Sequence, residues 1–571
     1  MISSLFTSEE DFFVSSATAA ASSSSSSFVV RSLQRIDPSM SSRNGESIFE
    51  YCSREALPLQ CISDAFEESQ AHMASDANEW LLIFAAAMIF FMQAGFAMLC
   101  AGCVRVKNVG NTMLKNLLDA CGAALGFFTV GFAFAFGGQN DTDATTFIGT
   151  TNFFMMNVEN KSFWLFQFAF AATSTTIVAG TLAERCQMAA YLCYSILLTG
   201  FVYPVVAHSI WSRNGFLSSG NVDPLFGVGM VDFAGSAVVH ITGGLTAIYA
   251  TLILGPRKGR FYDARGNPLP KPKEFPGHSL ALQMLGTFIL WFGWYGFNPG
   301  SALTLVESLE SIHIASLAAV NTTLSAASAA VSALFTNLWY EERTTGEAKF
   351  DLICLMNGGI TGLVAITAGC ATVEPWAAVV IGLFAGWAYL LGSAALIRIR
   401  IDDAVDAIPV HLFGGILGCI STGLFSTPEH MMDAFGHSKH VGWFYELARG
   451  RFDANMLGAQ ICGILFVTGW VTFLMFPFFI WLNYMGWFRA DSLEELVGLD
   501  ISYHGGSALG NDEVKLEYIE AFNRRKGAKM ESRRPYGNGT ETSMPQYPDS
   551  YSPHEAAALE GLDPEEREMM H

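Results

Sequence analysis

The chain has 571 residues, of which 51% are hydrophobic, 13% aromatic and only 15% charged. A soluble domain carries about a quarter charged residues, so this composition excludes an ordinary soluble enzyme and points to a chain that crosses a membrane many times. The net charge of −20 belongs to the ends: residues 1–79 hold 12 acidic and 4 basic side chains, residues 489–571 hold 17 and 9, and the middle is near neutral, as lipid requires. There is no basic stripe of the kind that binds nucleic acid. The 11 Cys show no zinc-type pairing, so neither a metal nor another cofactor is expected.

In chain order, residues 1–79 read as a low-complexity N-terminal tail with a run of Ser22–Ser27. The apolar stretch near Phe12–Ala21 lacks a basic leader and is a poor signal peptide. Residues 80–488 read as the transmembrane domain, and residues 489–571 as a charged C-terminal tail. Apolar runs near 81–101, 116–136, 162–182, 189–211, 233–255, 278–300, 314–339, 352–372, 376–397, 408–426 and 455–485 are long enough to cross a bilayer as helices. The fold class is therefore an all-α polytopic membrane protein with eleven spans. One set of connecting loops carries 14 Lys and Arg and the other set 5, which puts the first set in the cytosol. The N-terminus is then outside and the C-terminus cytosolic. Cys52 and Cys61 face an oxidising compartment and are able to pair. The tripeptides at Asn140 and Asn160 become glycosylation acceptors. The stretch Lys515–Arg534 is expected to leave the globular part.

A weak repeat links the fifth and tenth spans. Asp232 precedes His240-Ile-Thr-Gly243-Gly244, and Asp406 precedes His411-Leu-Phe-Gly414-Gly415. Five spans separate the two, so two five-helix units are inverted relative to each other, with one helix left over. Such an architecture places its site near the midplane, between the halves.

A histidine within a span is costly when charged, at about 2.5–3.5 kcal/mol. A neutral one passes a proton between its two nitrogens. His240 and His411 are thus expected to form a proton relay, against the plainer reading of packed histidines. Asp232, at the outer edge, either recruits a cation or caps the first turn of its helix. Trp211 closes the fourth span, where it is either an interfacial belt residue or a cation–π wall. Phe297 and Ser301 lie four residues apart on one helix face, so a hydroxyl at the mouth stands one turn above an aromatic plug. Phe170 is one of 46 Phe, and nothing in its local sequence selects it.

Five dispersed segments then resemble one family. They are GFAMLCAGCVRVKN (95–108), FQFAFAATSTTIVAGTLAER (166–185), DFAGSAVVH (232–240), LQMLGTFILWFGWYGFNPGS (282–301) and DDAVDAIPVH (402–411). They look like the ammonium transporters of the Amt/Mep/Rh family, plant-type Amt branch, over roughly residues 80–510. The lack of a convincing transit or signal peptide points to the plasma membrane, and the resemblance implies a homotrimer with one pore per subunit. It implies high-affinity-type uptake of ammonium, with methylammonium as an analogue, and no enzymatic activity. It places Trp211, Ser301 and Asp232 at the outer cation site, Phe170 and Phe297 at a stacked gate, and His240 and His411 in the pore. Gln167 and Glu184 also match the pattern, Glu184 with a cytosolic structural role. Net electrogenic transport is expected, with ammonia and a proton conducted apart; a neutral ammonia channel and an ammonium sensor are the alternatives. The tail segment GLDISYHGG (498–506) matches a regulatory segment in which Ser502 stands at a phosphorylatable position, which implies a kinase as partner. One departure is Leu412, where the family pattern has Gly. It is expected to narrow or shift the lower pore.

Overall fold

The computed structural model describes residues 58–138, 144–263, 265–304, 309–506 and 516–532. Cys52 and the tripeptide at Asn140 lie outside them. The chain divides into two compact units, residues 1–78 and 79–571. Cys61, in the first unit, is disulfide-bonded. Among the described residues there are helices, turns and isolated bridges but no strand of a sheet.

Among the described residues, ten apolar helices of spanning length and one shorter apolar helix overlap the eleven expected runs. They are α1 (Pro58–Cys103), α2 (Val106–Phe136), α3 (Lys161–Thr181), α4 (Met188–Trp211), α5 (Ser236–Leu254), α6 (Leu280–Ala302), α7 (Leu309–Thr345), α8 (Leu352–Ile366), α9 (Pro375–Arg398), α10 (Ile408–Phe425) and α11 (Asn455–Tyr484). Ten are long and apolar enough to cross a bilayer. The other, α8, has 15 helical residues and continues into turns through Thr372.

Local chemistry sets several of the ends. Asn160 begins α3 by accepting the Phe163 N–H. Ser279 does the same for Leu282 at α6, and Asp351 accepts Ile353 and Cys354 at α8. The Asn160 side chain is thus accounted for as a cap. Pro299 and Gly300 end the regular part of α6, and a short 3-10 turn follows. Large apolar side chains that remain exposed, such as Leu391 and Phe473, belong to the lipid-facing surface.

Four helices contain π-helical turns. These are Phe127–Gly131 in α2, Leu198–Val202 in α4, Ser236–Ile241 in α5 and Ile408–Phe413 in α10. Such turns concentrate at functional positions because they leave backbone and side chains out of helical register. The last two are the opening turns of α5 and α10, and they carry His240 and His411.

The Gly pairs of the repeat explain how these helices approach. A Cβ on Gly244 would lie 2.7 Å from the Leu412 nitrogen, and one on Gly415 would lie 2.6 Å from the Ser236 oxygen. Any other residue would force the backbones apart.

The C-terminal tail folds onto the domain through α12 (Ser492–Val497), α13 (Leu499–His504) and α14 (Leu516–Ser532). The expectation that 515–534 leaves the globular part is corrected for α14. Ile519 and Phe522 pack against Leu493, Val497 and Ile501, and Arg525 grips Asp491 through two bonds of 2.8 and 3.1 Å. The apolar residues spaced three apart in a charged stretch were the missed signal.

Candidate functional site

A cavity of about 490 Å³ is lined by residues of α3, α4 and α6, by Phe136 of α2 and Ile314 of α7, by the loop before α5, and by Ala434 and Phe435 of the short helix Pro428–Phe435. It brings together Trp211, Asp232, Ser301 and Phe170, four of the residues singled out from the sequence. Trp211 is half-buried. Its indole N–H donates to the Asp232 carbonyl oxygen at 2.7 Å, and its ring meets Phe170 edge-on at 5.6 Å. It is therefore part of the cavity wall, which corrects the belt reading that its sequence position alone favours.

Asp232 does not begin α5; it lies four residues ahead of it. Its carboxylate accepts the N–H groups of Gly235 (3.0 Å), Ala237 (2.8 Å) and Val238 (3.0 Å). The capping reading is thus observed directly. Gly235 has φ +108°, which only a residue without Cβ adopts without strain. A Cβ there would also crowd the Trp211 ring at 3.1 Å. Ser301 donates its proton to the Phe297 carbonyl at 2.8 Å, which leaves the hydroxyl lone pairs as acceptors. Gln167 lines the same cavity with its Oε1 buried and unpaired. Arg213 also lines the cavity; the sequence reading counted it only as a loop charge.

Below the cavity, the rings of Phe170 and Phe297 meet at 4.2 Å, both buried. They close the way down. Under Phe297 lies His240, stacked on Trp294 at 5.4 Å and on His411 at 5.1 Å. The two imidazoles share one hydrogen bond, Nδ1 to Nδ1, of 3.1 Å. Such a bond requires that one Nδ1 carries the proton and the other does not. The Nε2 of His240 is buried without a partner. Trp294, which lies inside a quoted motif but was assigned nothing, is the flat wall that sets the His240 ring plane; its indole N–H donates to Thr367.

A lower cavity of about 20 Å³ opens beneath His411, lined among others by Phe96, Asn357, Val405 and Ala407. Leu412 is not among its lining residues; it packs on Gly244 instead. The repeat pairing also needs correction. The counterpart of Asp232 is Asp403, not Asp406: Asp403 stands eight residues before His411 and accepts Ile408 N–H at 2.7 Å, at the start of the matching π-helical turn.

The end of the helices that carries Glu184, Arg257 and Asp402 is held by ions. Glu184 pairs with Arg105 and, at 3.1 Å, with Arg257. Asp402 takes two bonds of 2.9 Å from the Arg257 guanidinium and a third, of 2.7 Å, from the Arg257 backbone N–H. Burial opposes the charge of Glu184, but Arg105 and Arg257 outweigh it and hold the carboxyl below its usual range. The tail joins this face. Asp500 accepts Gly110 and Asn111 N–H at 3.0 and 2.7 Å, Glu495 accepts Lys258 N–H at 2.6 Å, and Ser502 donates to Gly498 at 3.0 Å.

Comparisons with known proteins agree with this geometry. The family model for the Ammonium Transporter Family matches residues 79–509. "Ammonium transporter 1 member 3" of Solanum lycopersicum is 40% identical over 462 residues, 77% of this chain and 94% of the relative. "Ammonium transporter 3" of Dictyostelium discoideum is also 40% identical, over 78% of this chain and 96% of the relative. Among solved structures, a "Sensor Amt Protein" is similar with TM-score 0.63 at 31% identity, covering 76% of this chain and 99% of that one. Mep2 of Saccharomyces cerevisiae is similar with TM-score 0.62 at 26% identity, over 73% of this chain and 87% of that one. A transport family and not an enzyme family is matched across the membrane domain: the chain belongs to the ammonium transporter family.

Proposed function

We propose that this protein takes up ammonium across the plasma membrane, as a homotrimer with one pore per subunit. The N-terminus is outside, and the C-terminal tail regulates from the cytosol. The observation that carries the reading is one line of groups: the cavity of Trp211, Ser301 and Asp232, the Phe170–Phe297 pair beneath it, and the bonded histidines beneath that.

Ammonium and potassium are similar in size, so a pore separates them by chemistry. Ammonium has N–H donors and a removable proton. The Ser301 lone pairs accept one N–H, and the Trp211 face contributes a cation–π attraction of up to about 2 kcal/mol when desolvated. Asp232 holds the site from behind by fixing Trp211 and the first turn of α5. The closed Phe pair opposes a hydrated ion. Loss of the proton lets neutral ammonia pass, while the His240–His411 bond carries the proton separately. Uptake is then of high-affinity type and electrogenic.

The test is two-electrode current in oocytes, with potassium as control. A saturating inward current is expected with ammonium and none with potassium, and His240→Ala should lose the current. No wild-type current beside intact labelled methylammonium uptake would sink the electrogenic claim and leave a neutral channel. The similarity to a solved "Sensor Amt Protein" supports a second reading, an ammonium sensor. Neither current nor uptake from protein at the surface would favour it.

Ser502 is the proposed switch, phosphorylated by a kinase. It lies on α13, where its hydroxyl donates to the Gly498 carbonyl at 3.0 Å, so a phosphate there adds negative charge to an acidic stretch of the tail and breaks that bond. Ser502→Asp should lower the ammonium current by about tenfold, within the usual span of allosteric coupling. Ser502→Ala should leave it unchanged. Equal currents in all three proteins would remove Ser502 from regulation.

A further inference from the structure

The lower cavity lies on a hydrogen-bonded path that the pore chemistry above does not use. Asn357, on α8, lines that cavity together with His411. Its amide donates to the Tyr389 hydroxyl at 3.2 Å, and this hydroxyl donates to Asp406 Oδ2 at 3.0 Å. Ser393 donates to the same oxygen at 3.1 Å. Asp406 itself is half-buried, in the loop between α9 and α10, and its neighbours Val405 and Ala407 both line the cavity. It is held at φ +57°, a conformation that Asp and Asn tolerate best among residues with a side chain. A carboxylate is thus fixed where the lower cavity meets the cytosol, at the end of a buried phenol.

We propose that Asp406 is the proton-release group of the inner mouth, with Tyr389 and Asn357 as its positioning residues. This rests on the electrogenic reading. The step balances simply. The imidazolium formed at the histidine pair gives its proton to water in the lower cavity. Asn357 stands between that cavity and Tyr389, so a second water beside its amide carries the proton on to the free lone pair of the Tyr389 oxygen, as the phenol proton moves to Asp406. Protonated Asp406 then gives its proton to ammonia leaving the pore, which re-forms ammonium, or to cytosolic water. No oxidant or further reactant is needed.

The surroundings favour proton uptake by this carboxyl. Burial raises the Asp406 carboxyl above its usual range, against the bonds from Tyr389 and Ser393. The charged and titratable groups that face it are Asp403 on its own loop, Cys103 at the end of α1, Arg260 from the loop after α5, Asp351 and Cys354 at the start of α8, and Tyr389 on α9. Burial, and then the charge of Asp406, push Asp403 up to about 7. A more acidic cytosol fills the release group with a proton and so slows the inward charge.

The experiment measures charge and labelled methylammonium uptake in the same oocytes, normalised to surface protein. Asp406→Asn keeps the backbone conformation and an acceptor for Tyr389 but cannot bind the proton. Charge per methylammonium should fall by at least about tenfold, the lower range for loss of a positioned acid or base, while tracer uptake persists. Tyr389→Phe should lower the same ratio, and the Asn variant should lose the wild-type response to cytosolic acidification. An unchanged ratio in both variants would overturn the release role alone. Charge and tracer falling together would assign Asp406 a structural role and likewise overturn it. A wild type that carries tracer without charge would instead end the electrogenic reading, and this role with it.

Discussion

Asp232→Ala is expected to abolish labelled methylammonium uptake, by at least about 10²-fold, since each hydrogen bond to a charged group is worth about 1.5–3 kcal/mol and three are lost together. The donors left behind are the backbone N–H groups of Gly235, Ala237 and Val238, all buried. Two of them belong to the π-helical turn that carries His240. The same stretch of chain supplies the carbonyl that fixes Trp211. One substitution thus loosens both the outer wall and the upper histidine. Asp232→Asn keeps one acceptor oxygen and should fall between. Uptake by the Ala variant within twofold of wild type, at equal surface protein, would remove Asp232 from any role in the site.

Asp402→Asn is the second large effect, and it concerns stability. The side chain is 1% exposed and faces Arg257, which is 4% exposed and also serves Glu184. Removing one partner of a buried pair costs about 3–5 kcal/mol; Glu184 still faces Arg257, so the loss should lie toward the lower end. The variant should show a lower Tm in detergent and less protein at the surface. Burial opposes the Asp402 charge, yet Arg257 and Arg185 hold its carboxyl well below the usual range. A depressed value means that the pair stabilises fully above the unfolded pKa, about 3.9, and that this contribution fades only as pH falls toward the folded value. The deficit should therefore be constant between about pH 6 and 8. Adding Arg257→Met to the variant should recover part of the Tm; a double variant less stable than Asp402→Asn would contradict this account.

Much of the fold was legible because lipid imposes a plain rule: about 20 apolar residues per crossing. The eleven runs were read at their observed positions, although α8 is helical for only part of its run. The H-x-x-G-G repeat announced the meeting of α5 and α10, since Gly at close backbone contacts and His in a span are both rare enough to notice. What the letters did not carry was register. Nothing in SAVVHI or IPVHLF announces a π-helical turn, which depends on packing from neighbouring helices. The Asp403–Asp406 exchange shows the same gap, because both residues stand at plausible spacing from His411. Trp211 and Phe170 needed the fold for another reason. An aromatic ring says nothing in sequence about whether it faces lipid or a cavity. Nor did a count of basic residues near the cytosol predict which of them, such as Arg257, would be shared between two carboxylates.

The single Nδ1–Nδ1 bond between His240 and His411 has a kinetic meaning. When His240 holds the bridging proton, its Nε2 is bare and His411 carries its other proton on the far nitrogen. A proton arriving at the bare Nε2 shifts the bridge across and drives one off below. The pair is then left reversed: the upper nitrogen is occupied, and a second arrival finds no vacancy until the bridge returns. Each crossing therefore leaves a record in the two rings, and the next must wait for it to be erased. If the pair carries the proton as proposed, such a pore counts: it admits one proton per reset, however steep the gradient outside.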